Sequence, residues 1–294
     1  MNNNIANSKQ QKTIKCGVIG TPISHSLSPL IHNYYLNQLH ISGSYDKYEI
    51  PVENFAKNLE TLLKTYNLAG FNVTLPHKER IMPLCQHLSK TAKIIGAVNT
   101  VKILDNNHLY GHNSDAEGFI KNFFRHLPNY NFTDKNCLII GAGGASRAIL
   151  YGLIQQRAKN LTIANRNTDK IAKIFADFAE LKLSQQLNFQ HLDLTMINQN
   201  IHDYDLIINT TSLGMVNQPP LDLKITPSKK NIVICDIVYK PLFTDLLKTA
   251  KANNYNVITG IGMLIEQALV GFEMWYGKRP DYDINLEQIL IKNI

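Results

Sequence analysis

The chain has 294 residues, 44% of them hydrophobic and 18% charged, which is the composition of a globular protein long enough to bury a sizeable core. The formal net charge of +7 admits small anionic ligands, but there is no compact basic run and no long apolar run, so we predict neither a nucleic-acid nor a membrane partner. Four cysteines without a CxxC pair, and an N-terminus without an apolar signal stretch, predict a cytoplasmic protein with reduced thiols.

Short apolar strands alternate with helices along almost the whole chain, after a polar tail at 1–12 that we expect to be disordered. The strands predicted in the first part are 14–19, 44–50, 70–74, 98–104 and 108–111. The helices predicted there are 29–41, 52–66 and one that begins at Pro76. The strands predicted in the second part are 137–140, 161–164, 206–209, 232–235 and 257–258. The helices predicted there are 145–156, 168–179, 241–253 and 262–276.

This alternation predicts an α/β fold with parallel sheets that are covered by helices on both faces. We expect two domains. The first, an N-terminal α/β domain, comprises residues 13–114 and 260–294, because the C-terminal helices are expected to pack back on it. The second, residues 115–259, is predicted to be a Rossmann-type doubly wound domain.

A glycine-rich turn between the strand 137–140 and the next helix has the pattern of a dinucleotide-binding fingerprint. Its residues are Gly141, Ala142, Gly143, Gly144 and Ala145. The first glycine permits a tight turn, and the second lets the backbone approach a pyrophosphate, whose charge the helix N-terminus favours. An ordinary glycine turn is the alternative.

The end of the following strand indicates which nicotinamide cofactor is bound. NAD sites usually carry an acidic residue there, about 20 residues after the fingerprint. Here the strand ends at Asn165 and Arg166, and Lys170 follows. A guanidinium can form a charge-assisted fork with a 2′-phosphate, so we predict NADP(H). A solvated surface pair is the alternative interpretation of Arg166 and Lys170.

Two serines follow the first strand, and they suit a carboxylate or a sugar-like hydroxyl. Ser26 and Ser28 are two residues apart, so their hydroxyls can point the same way in an extended segment. Capping of the next helix by Ser28, with Pro29 at its first position, is the alternative, but it leaves Ser26 unexplained.

Lys78 and Asp115 are candidates for acid–base chemistry. We expect Lys78 in the first turn of the helix that begins at Pro76, where the positive helix terminus disfavours a cation and favours the neutral base. Ser114 and Glu117 have the spacing of a capping box, which leaves Asp115 free to pair with Lys78. A tolerated surface lysine and a helix-start acid are the alternatives.

Two amides are further candidates for contact with substrate hydroxyls. Asn99 lies at the start of a predicted strand, where turn chemistry is the alternative. Gln267 interrupts an apolar stripe of the last long helix, where it either contacts a ligand or satisfies a core polar group.

These segments together resemble the shikimate dehydrogenase family from about Gly17 to Gly277. The motifs in chain order are SLSP at 26–29, NVTLPHK at 72–78, GAVNT at 96–100, NSDAEG at 113–118, GAGGASRA at 141–148, NR at 165–166, NTTSLG at 209–214, DIVYKP at 236–241 and MLIEQA at 263–268. Each match alone is weak, whereas all of them in this order are specific.

The resemblance implies reversible NADPH-dependent reduction of 3-dehydroshikimate to shikimate, by direct hydride transfer and without a metal. It implies that Lys78 and Asp115 are the catalytic pair. The substrate contacts that it implies are Ser26, Ser28, Thr74, Asn99, Tyr239 and Gln267. The NADP(H) contacts that it implies are Gly141, Ala142, Gly143, Gly144, Ala145, Asn165, Arg166, Lys170, Thr211, Gly260 and Met263. Asn167 and Lys170 depart from the usual threonine and second arginine, which could loosen the preference for NADP.

Two other functions stay open at this point. One is a quinate/shikimate dehydrogenase that uses NAD, against which Arg166 without a neighbouring acid argues. The other is a non-catalytic ligand sensor on the same fold, which would lack the Lys78–Asp115 pair. The sequence also leaves a homodimer open.

Overall fold

The computed structural model of the protein describes residues 13–225 and 231–294, so the tail expected at 1–12 lies outside the described residues. Within these ranges the strands form two six-stranded sheets. In chain order they are β1 Ile14–Gly20, β2 Gly43–Glu49, β3 Leu68–Val73, β4 His87–Leu88, β5 Thr100–Ile103, β6 Leu109–His112, β7 Asn136–Ile140, β8 Asn160–Asn165, β9 Asn188–Asp193, β10 Leu206–Asn209, β11 Val233–Asp236 and β12 Asn256–Ile258.

The α-helices of the described residues are α1 Ser28–Gln38, α2 Phe55–Thr65, α3 Lys90–Ile95, α4 Asp115–His126, α5 Gly144–Gln155, α6 Thr168–Asp177, α7 Ala179–Gln185, α8 Ile197–Asn200, α9 Asp245–Ala252, α10 Ile261–Tyr276 and α11 Ile284–Ile291. None of these helices is long and apolar enough to cross a membrane.

The first sheet has the order β2-β1-β3-β5-β6-β4 and is mixed. Strand β1 pairs in parallel with β2 and β3, whereas β5 is antiparallel to both β3 and β6. The expectation of parallel pairing is therefore wrong here. The short connection at 105–107 explains the antiparallel pairing of β5 with β6, because a parallel crossover needs a dozen or more residues.

The second sheet is parallel throughout and has the order β12-β11-β10-β7-β8-β9. The first strand of this unit, β7, is central, and the chain builds outward from it first on one side and then on the other. That order is the doubly wound Rossmann order, which confirms the predicted fold class. Ligands bind such sheets where the order reverses, here at the carboxyl ends of β7 and β10.

Helix α10 packs on α4, on α1 and on strands β3 and β5, which confirms that the C-terminal helices return to the first sheet. The side chain of Trp275 fixes this contact, because its indole N–H donates to the carbonyl oxygen of Val101 at 2.9 Å. On the other side Phe272 lies in an apolar cluster with Ile31 and Tyr35 of α1.

Several predicted helices differ from the structure. No helix begins at Pro76, and the helix expected at 241–253 starts only at Asp245, where Thr244 accepts a capping hydrogen bond from the backbone N–H of Leu247. Helix α11 and strand β9 have no counterpart among the predicted elements. We refer to the first sheet with α1–α3, α10 and α11 as the first lobe, and to the second sheet with α5–α9 as the second lobe.

Candidate active site

Lys78 and Asp115 form a close ion pair at the end of the first sheet where strands β3 and β6 finish. The Nζ atom of Lys78 lies 2.6 Å from Oδ2 of Asp115, and the two side chains are 16% and 5% exposed. Lys78 comes from the turn after β3, and Asp115 is the first residue of α4. The structure therefore brings together the two groups that the sequence proposed as a pair.

The local environment of Lys78 differs from the prediction. Residues 76–81 form successive turns, in which the backbone N–H of His77 donates to Thr74 and that of Ile81 donates to His77. Lys78 is therefore not in the first turn of a helix, and the helix-terminus argument for its protonation does not apply. His77 is a packing residue, stacked on Phe55 and bonded to the carbonyl oxygen of Ile50.

Asn99 holds the second oxygen of the Asp115 carboxylate. Its Nδ2 donates to Oδ1 of Asp115 at 2.8 Å, while its own Oδ1 accepts from the backbone N–H of Ser114 at 2.8 Å. Because Oδ1 of Asn99 is an acceptor in that bond, its amide orientation is defined by its partners. Both oxygens of Asp115 thus have a donor, one from Lys78 and one from Asn99.

The predicted capping box at Ser114 is wrong. Ser114 precedes α4 but makes no capping hydrogen bond, and its hydroxyl faces Asn99 and Thr100 instead. The Ser114 hydroxyl therefore bonds to side chains of another segment and not to the backbone of α4. The short side chain of serine can make either kind of hydrogen bond.

Four buried polar residues behind the pair were not proposed as site residues: Tyr45, Asn72, Thr100 and Asn113. The Tyr45 hydroxyl donates to Asn72, whose Nδ2 donates to the Asn99 carbonyl and to Thr100. Asn113 accepts from the backbone N–H of Asp115 and donates to the carbonyl oxygen of Ala97. Asn72, Thr100 and Asn113 had a sequence signal, as members of the NVT, GAVNT and NSD motifs, whereas Tyr45 had none.

Ser26 and Ser28 lie together, with their hydroxyl oxygens 3.3 Å apart. Helix α1 starts at Ser28, and Leu27, the residue before it, makes no side-chain cap. The capping alternative for Ser28 is therefore wrong. Two adjacent hydroxyls at the start of a helix can both donate to one carboxylate.

Two of the other proposed substrate residues, Gln267 and Thr74, lie at the same end of the first sheet. Gln267 is buried on α10, donates to the carbonyl oxygen of Leu264, and offers its Oε1 to Asn99 at 3.5 Å. Thr74 directly follows β3 and is partly exposed. Tyr239 packs against the cluster of α1 and α10, and burial raises its pKa, so its hydroxyl is a neutral hydrogen-bonding group.

The glycine-rich turn lies at the carboxyl end of β7, as the fingerprint requires. Gly141 has φ +115, which favours glycine, and the Ser146 hydroxyl donates back to its carbonyl oxygen at 2.8 Å. A Cβ atom at Gly143 would meet nothing within 4 Å, so the turn leaves open space beside an exposed backbone. This cradle at the start of α5 fits a pyrophosphate.

Asn165, Arg166 and Lys170 lie at the carboxyl end of β8, next to the glycine-rich turn. Arg166 and Lys170 are exposed, and Asn167 caps α6 by accepting from the Lys170 backbone N–H at 3.1 Å. The end of β8 carries an asparagine followed by an arginine, which suits a phosphate rather than a ribose hydroxyl.

A buried network around Asp236 shapes the other side of the cofactor cradle. Asp236 accepts from Asn209, from Thr244 and from the Val238 backbone N–H, while Asn209 accepts from the Thr211 backbone N–H and hydroxyl. Burial raises the pKa of Asp236 to about 6, and these hydrogen bonds oppose the shift. Thr211 is thereby fixed beside β7 and β10.

Gly260 and Met263 lie at the start of α10. A side chain at Gly260 would overlap the Ile237 backbone, so the glycine is needed for packing. Met263 is buried among apolar residues that include Ile258. Met263 therefore contributes to the packing of the apolar core.

Three family models match the chain: "Shikimate dehydrogenase substrate binding domain" over residues 18–101, "Shikimate / quinate 5-dehydrogenase" over 125–257, and "Shikimate 5'-dehydrogenase C-terminal domain" over 260–290. A curated relative, the shikimate dehydrogenase (NADP(+)) of Paramagnetospirillum magneticum, is 37% identical over 94% of this chain and 97% of its own.

Two solved structures are similar along almost their whole length. Shikimate 5-dehydrogenase from Thermus thermophilus, in complex with NADP(H) and shikimate, is 28% identical with a TM-score of 0.78, and the match covers 96% of this chain and 100% of that one. Quinate dehydrogenase from Corynebacterium glutamicum, in complex with NAD, is 27% identical with a TM-score of 0.83, and the match covers 95% and 99%.

Proposed function

The chain belongs to the shikimate dehydrogenase family, and we propose on that premise that it catalyses the reversible NADPH-dependent reduction of 3-dehydroshikimate to shikimate. The observation that carries the proposal is the Lys78–Asp115 pair, 2.6 Å apart and next to the glycine-rich cradle. The reaction places the protein in the pathway to chorismate and the aromatic amino acids. A ligand sensor on this fold has no need of such a pair.

The residues around the cradle are proposed to hold NADP(H), which supplies or accepts the hydride when bound. The backbone of 141–145 approaches the pyrophosphate, Asn165 and Arg166 hold the 2′-phosphate, and Lys170 adds a second positive charge. Thr211, Gly260 and Met263 are proposed to border the nicotinamide side. These roles are supported by the open space beside Gly143 and by the position of Arg166 after β8.

The Lys78–Asp115 pair is proposed to move the proton. In oxidation the pair accepts the proton of the reacting hydroxyl as the hydride departs, and in reduction it returns a proton to the developing alkoxide. Asn99 keeps one oxygen of Asp115 occupied, so the carboxylate is oriented toward Lys78. A positioned acid–base group of this kind accelerates a reaction by about 10²–10⁴-fold.

Recognition of the substrate is assigned to the hydroxyl and amide groups on the same edge. Ser26 and Ser28 are proposed to bind the carboxylate. Four further residues are proposed to contact the ring hydroxyls and the carboxylate: Thr74, Asn99, Tyr239 and Gln267. This role is supported by the position of both buried amides beside Asp115, since Asn99 donates to its carboxylate and Gln267 lies 3.5 Å from Asn99.

We further propose that residues 13–114 and 260–294 form the substrate domain, and that 115–259 form the NADP-binding domain. The division is supported by the two sheets, which take β1–β6 and β7–β12 respectively. A cytoplasmic location is supported by the four cysteines, all of which are free thiols.

The test is the rate of nicotinamide reduction with four pairs: shikimate or quinate, each with NADP or NAD. We expect turnover with shikimate and NADP to exceed the other pairs. Turnover with quinate and NAD instead would assign the chain a quinate dehydrogenase activity like that of the Corynebacterium glutamicum enzyme. Turnover with no pair would favour the sensor.

A further inference from the structure

Arg147 is a buried arginine on α5 that links the two lobes. Its side chain is 4% exposed, its Nε donates to the carbonyl oxygen of Ile95, and its Nη2 lies 2.6 Å from Oδ2 of Asp177. Ile95 is the last residue of α3 in the first lobe, and Asp177 is the last residue of α6 in the second. The Arg147 guanidinium therefore links the C-terminal ends of two helices that lie in different lobes.

The hydrogen bond from Arg147 to Ile95 caps the C-terminal end of α3, a helix of the first lobe. The last carbonyl groups of a helix have no partner within it, and the negative end of the helix favours a cation. The backbone makes room for this cation, because Gly96 takes φ +71 and a Cβ atom there would overlap the Arg147 guanidinium. Gly96 and Arg147 thus fit one another.

The segment that follows Gly96 leads directly into the active site. The backbone N–H of Val98 donates to the Lys78 carbonyl at 2.8 Å, and Asn113 donates to the carbonyl oxygen of Ala97 at 3.0 Å. The next residue is Asn99, which donates to Asp115. The segment 95–99 is therefore held by Arg147 at one end and by the catalytic pair at the other.

Close apolar packing accompanies the polar link. Four buried residues form one cluster across the lobes: Ile95 and Ala97 from the first lobe, Ala148 from α5, and Ala116 from α4. Three of them are alanines, so the backbones approach closely and the contact leaves little freedom for sliding.

We propose that Arg147 is a positioning residue for the dehydrogenase reaction: it fixes the segment 95–99, and through it Asn99 and Asp115, relative to the helix whose N-terminus forms the cofactor cradle. Among the described residues, the hydrogen-bond and ion-pair partners of the Arg147 side chain are Ile95 and Asp177, neither of which is assigned to substrate binding. A guanidinium suits this task because its donors lie in one rigid plane and fix two partners in direction as well as distance. The inference rests on the proposed function.

The experiment compares Arg147→Met and Arg147→Lys with Asp177→Asn as the matched control. Asp177→Asn removes the ion pair but keeps Arg147 and its bond to Ile95. For each protein we would measure kcat, the KM for shikimate, the Kd for NADPH by fluorescence titration, and hydrogen exchange of the amides at 96–98.

We expect Arg147→Met to lower kcat by roughly tenfold to a hundredfold, the loss that a displacement of about 1 Å causes, with the Kd for NADPH unchanged. Exchange at 96–98 should become faster, Arg147→Lys should be intermediate, and Asp177→Asn should stay close to wild type. If Arg147→Met does not fold, Arg147→Lys carries the comparison.

Wild-type kcat and exchange in both Arg147 variants would overturn the proposal. An equal loss in Asp177→Asn would also overturn it, because the ion pair within the second lobe would then be responsible. If the wild-type enzyme turned over no substrate pair, the proposed function would fail separately, and the exchange data would still decide whether Arg147 holds the segment 95–99.

Discussion

Gly144, the first residue of α5, packs directly against Lys78. A Cβ atom at Gly144 would lie 3.3 Å from Cβ of Lys78 and 3.4 Å from its Cδ. The same turn that is proposed to hold the pyrophosphate therefore also borders the side chain of the lysine that is proposed to transfer the proton. The missing side chain at position 144 lets α5 of the second lobe approach Lys78 and Ala97 of the first lobe closely.

The two neighbouring glycines should respond to alanine in different ways. Gly144→Ala should lower kcat several-fold, because the added methyl presses on the Lys78 side chain, and should leave the Kd for NADPH nearly unchanged. Gly143→Ala should instead weaken NADPH binding, because its methyl enters the open space of the cradle. Titration of cofactor binding and steady-state kinetics on both variants check this, and the reverse pattern would refute the placement of the cradle.

Arg166 should determine the preference for NADP. Arg166→Gln removes a charge-assisted contact worth about 1.5–3 kcal/mol, so kcat/KM for NADP should fall roughly tenfold to a hundredfold while the value for NAD stays the same. Arg157→Gln is the matched control, because Arg157 is an exposed arginine that precedes β8, whereas Arg166 follows it. Equal losses with both cofactors would remove Arg166 from the phosphate site.

Gly70 should be intolerant of a side chain. A methyl there would overlap both the Trp275 indole and the carbonyl oxygen of Val101, which are bonded to each other. Gly70→Ala should destabilise the fold by about 1–3 kcal/mol, the usual cost of overpacking. Because Trp275 is the single tryptophan, urea unfolding followed by its fluorescence measures both the loss and the changed environment. Gly143→Ala is the control, and unchanged emission and midpoint in Gly70→Ala would contradict the packing.

His32 should make the fold sensitive to acid. Its imidazole is buried and stacked on Tyr45 at 4.0 Å, with no hydrogen-bond partner for either nitrogen among the described residues. Burial lowers its pKa from 6.5 to about 3, and the nearby Asn72 side chain offsets this only in part. Between pH 6.5 and 3 the unfolded chain therefore binds the proton more readily than the folded one. Stability is lost as the pH falls through this window.

The corresponding variant is His32→Phe, which keeps the stacking ring and removes the titration. The free energy of unfolding of the wild type should fall relative to the variant by at most about 1.4 kcal/mol per pH unit below 6.5. Urea titrations at several pH values measure the difference. His87→Phe, at an exposed histidine, should keep the wild-type pH dependence. A difference between His32→Phe and wild type that does not vary with pH would contradict this interpretation.

Most of the second lobe could be predicted from the sequence, because the signals are local, although β9 and the true start of α9 at Asp245 were missed. A few neighbouring residues are enough to predict each apolar strand of this sheet, namely β7, β8, β10 and β11, and also the glycine-rich turn after β7. A doubly wound sheet follows from the alternation of these strands with helices. The antiparallel pairing of β5 with β3 in the first sheet was also missed, since it depends on which strands become neighbours.

The site was harder to predict where a side chain bonds to a residue distant in sequence and not to its own local backbone. Ser114 has the spacing of a capping residue, but Asn99 supplies it with a closer partner from another segment. Pro76 resembles a helix start, but the chain turns there to bring Lys78 to Asp115. Arg147 looked like one residue of the fingerprint helix, and its bond to Ile95 depends on how two lobes meet.

The central claim is that Lys78, paired with Asp115, transfers the proton during shikimate oxidation. The most direct measurement is the single-turnover rate of NADPH formation in Lys78→Met, with the Kd for NADPH measured alongside and Lys102→Met, at an exposed lysine on β5, as control. We predict a loss of about 10²–10⁴-fold in the rate, an unchanged Kd, and a control equal to wild type. A wild-type rate in Lys78→Met would contradict the assignment of the pair.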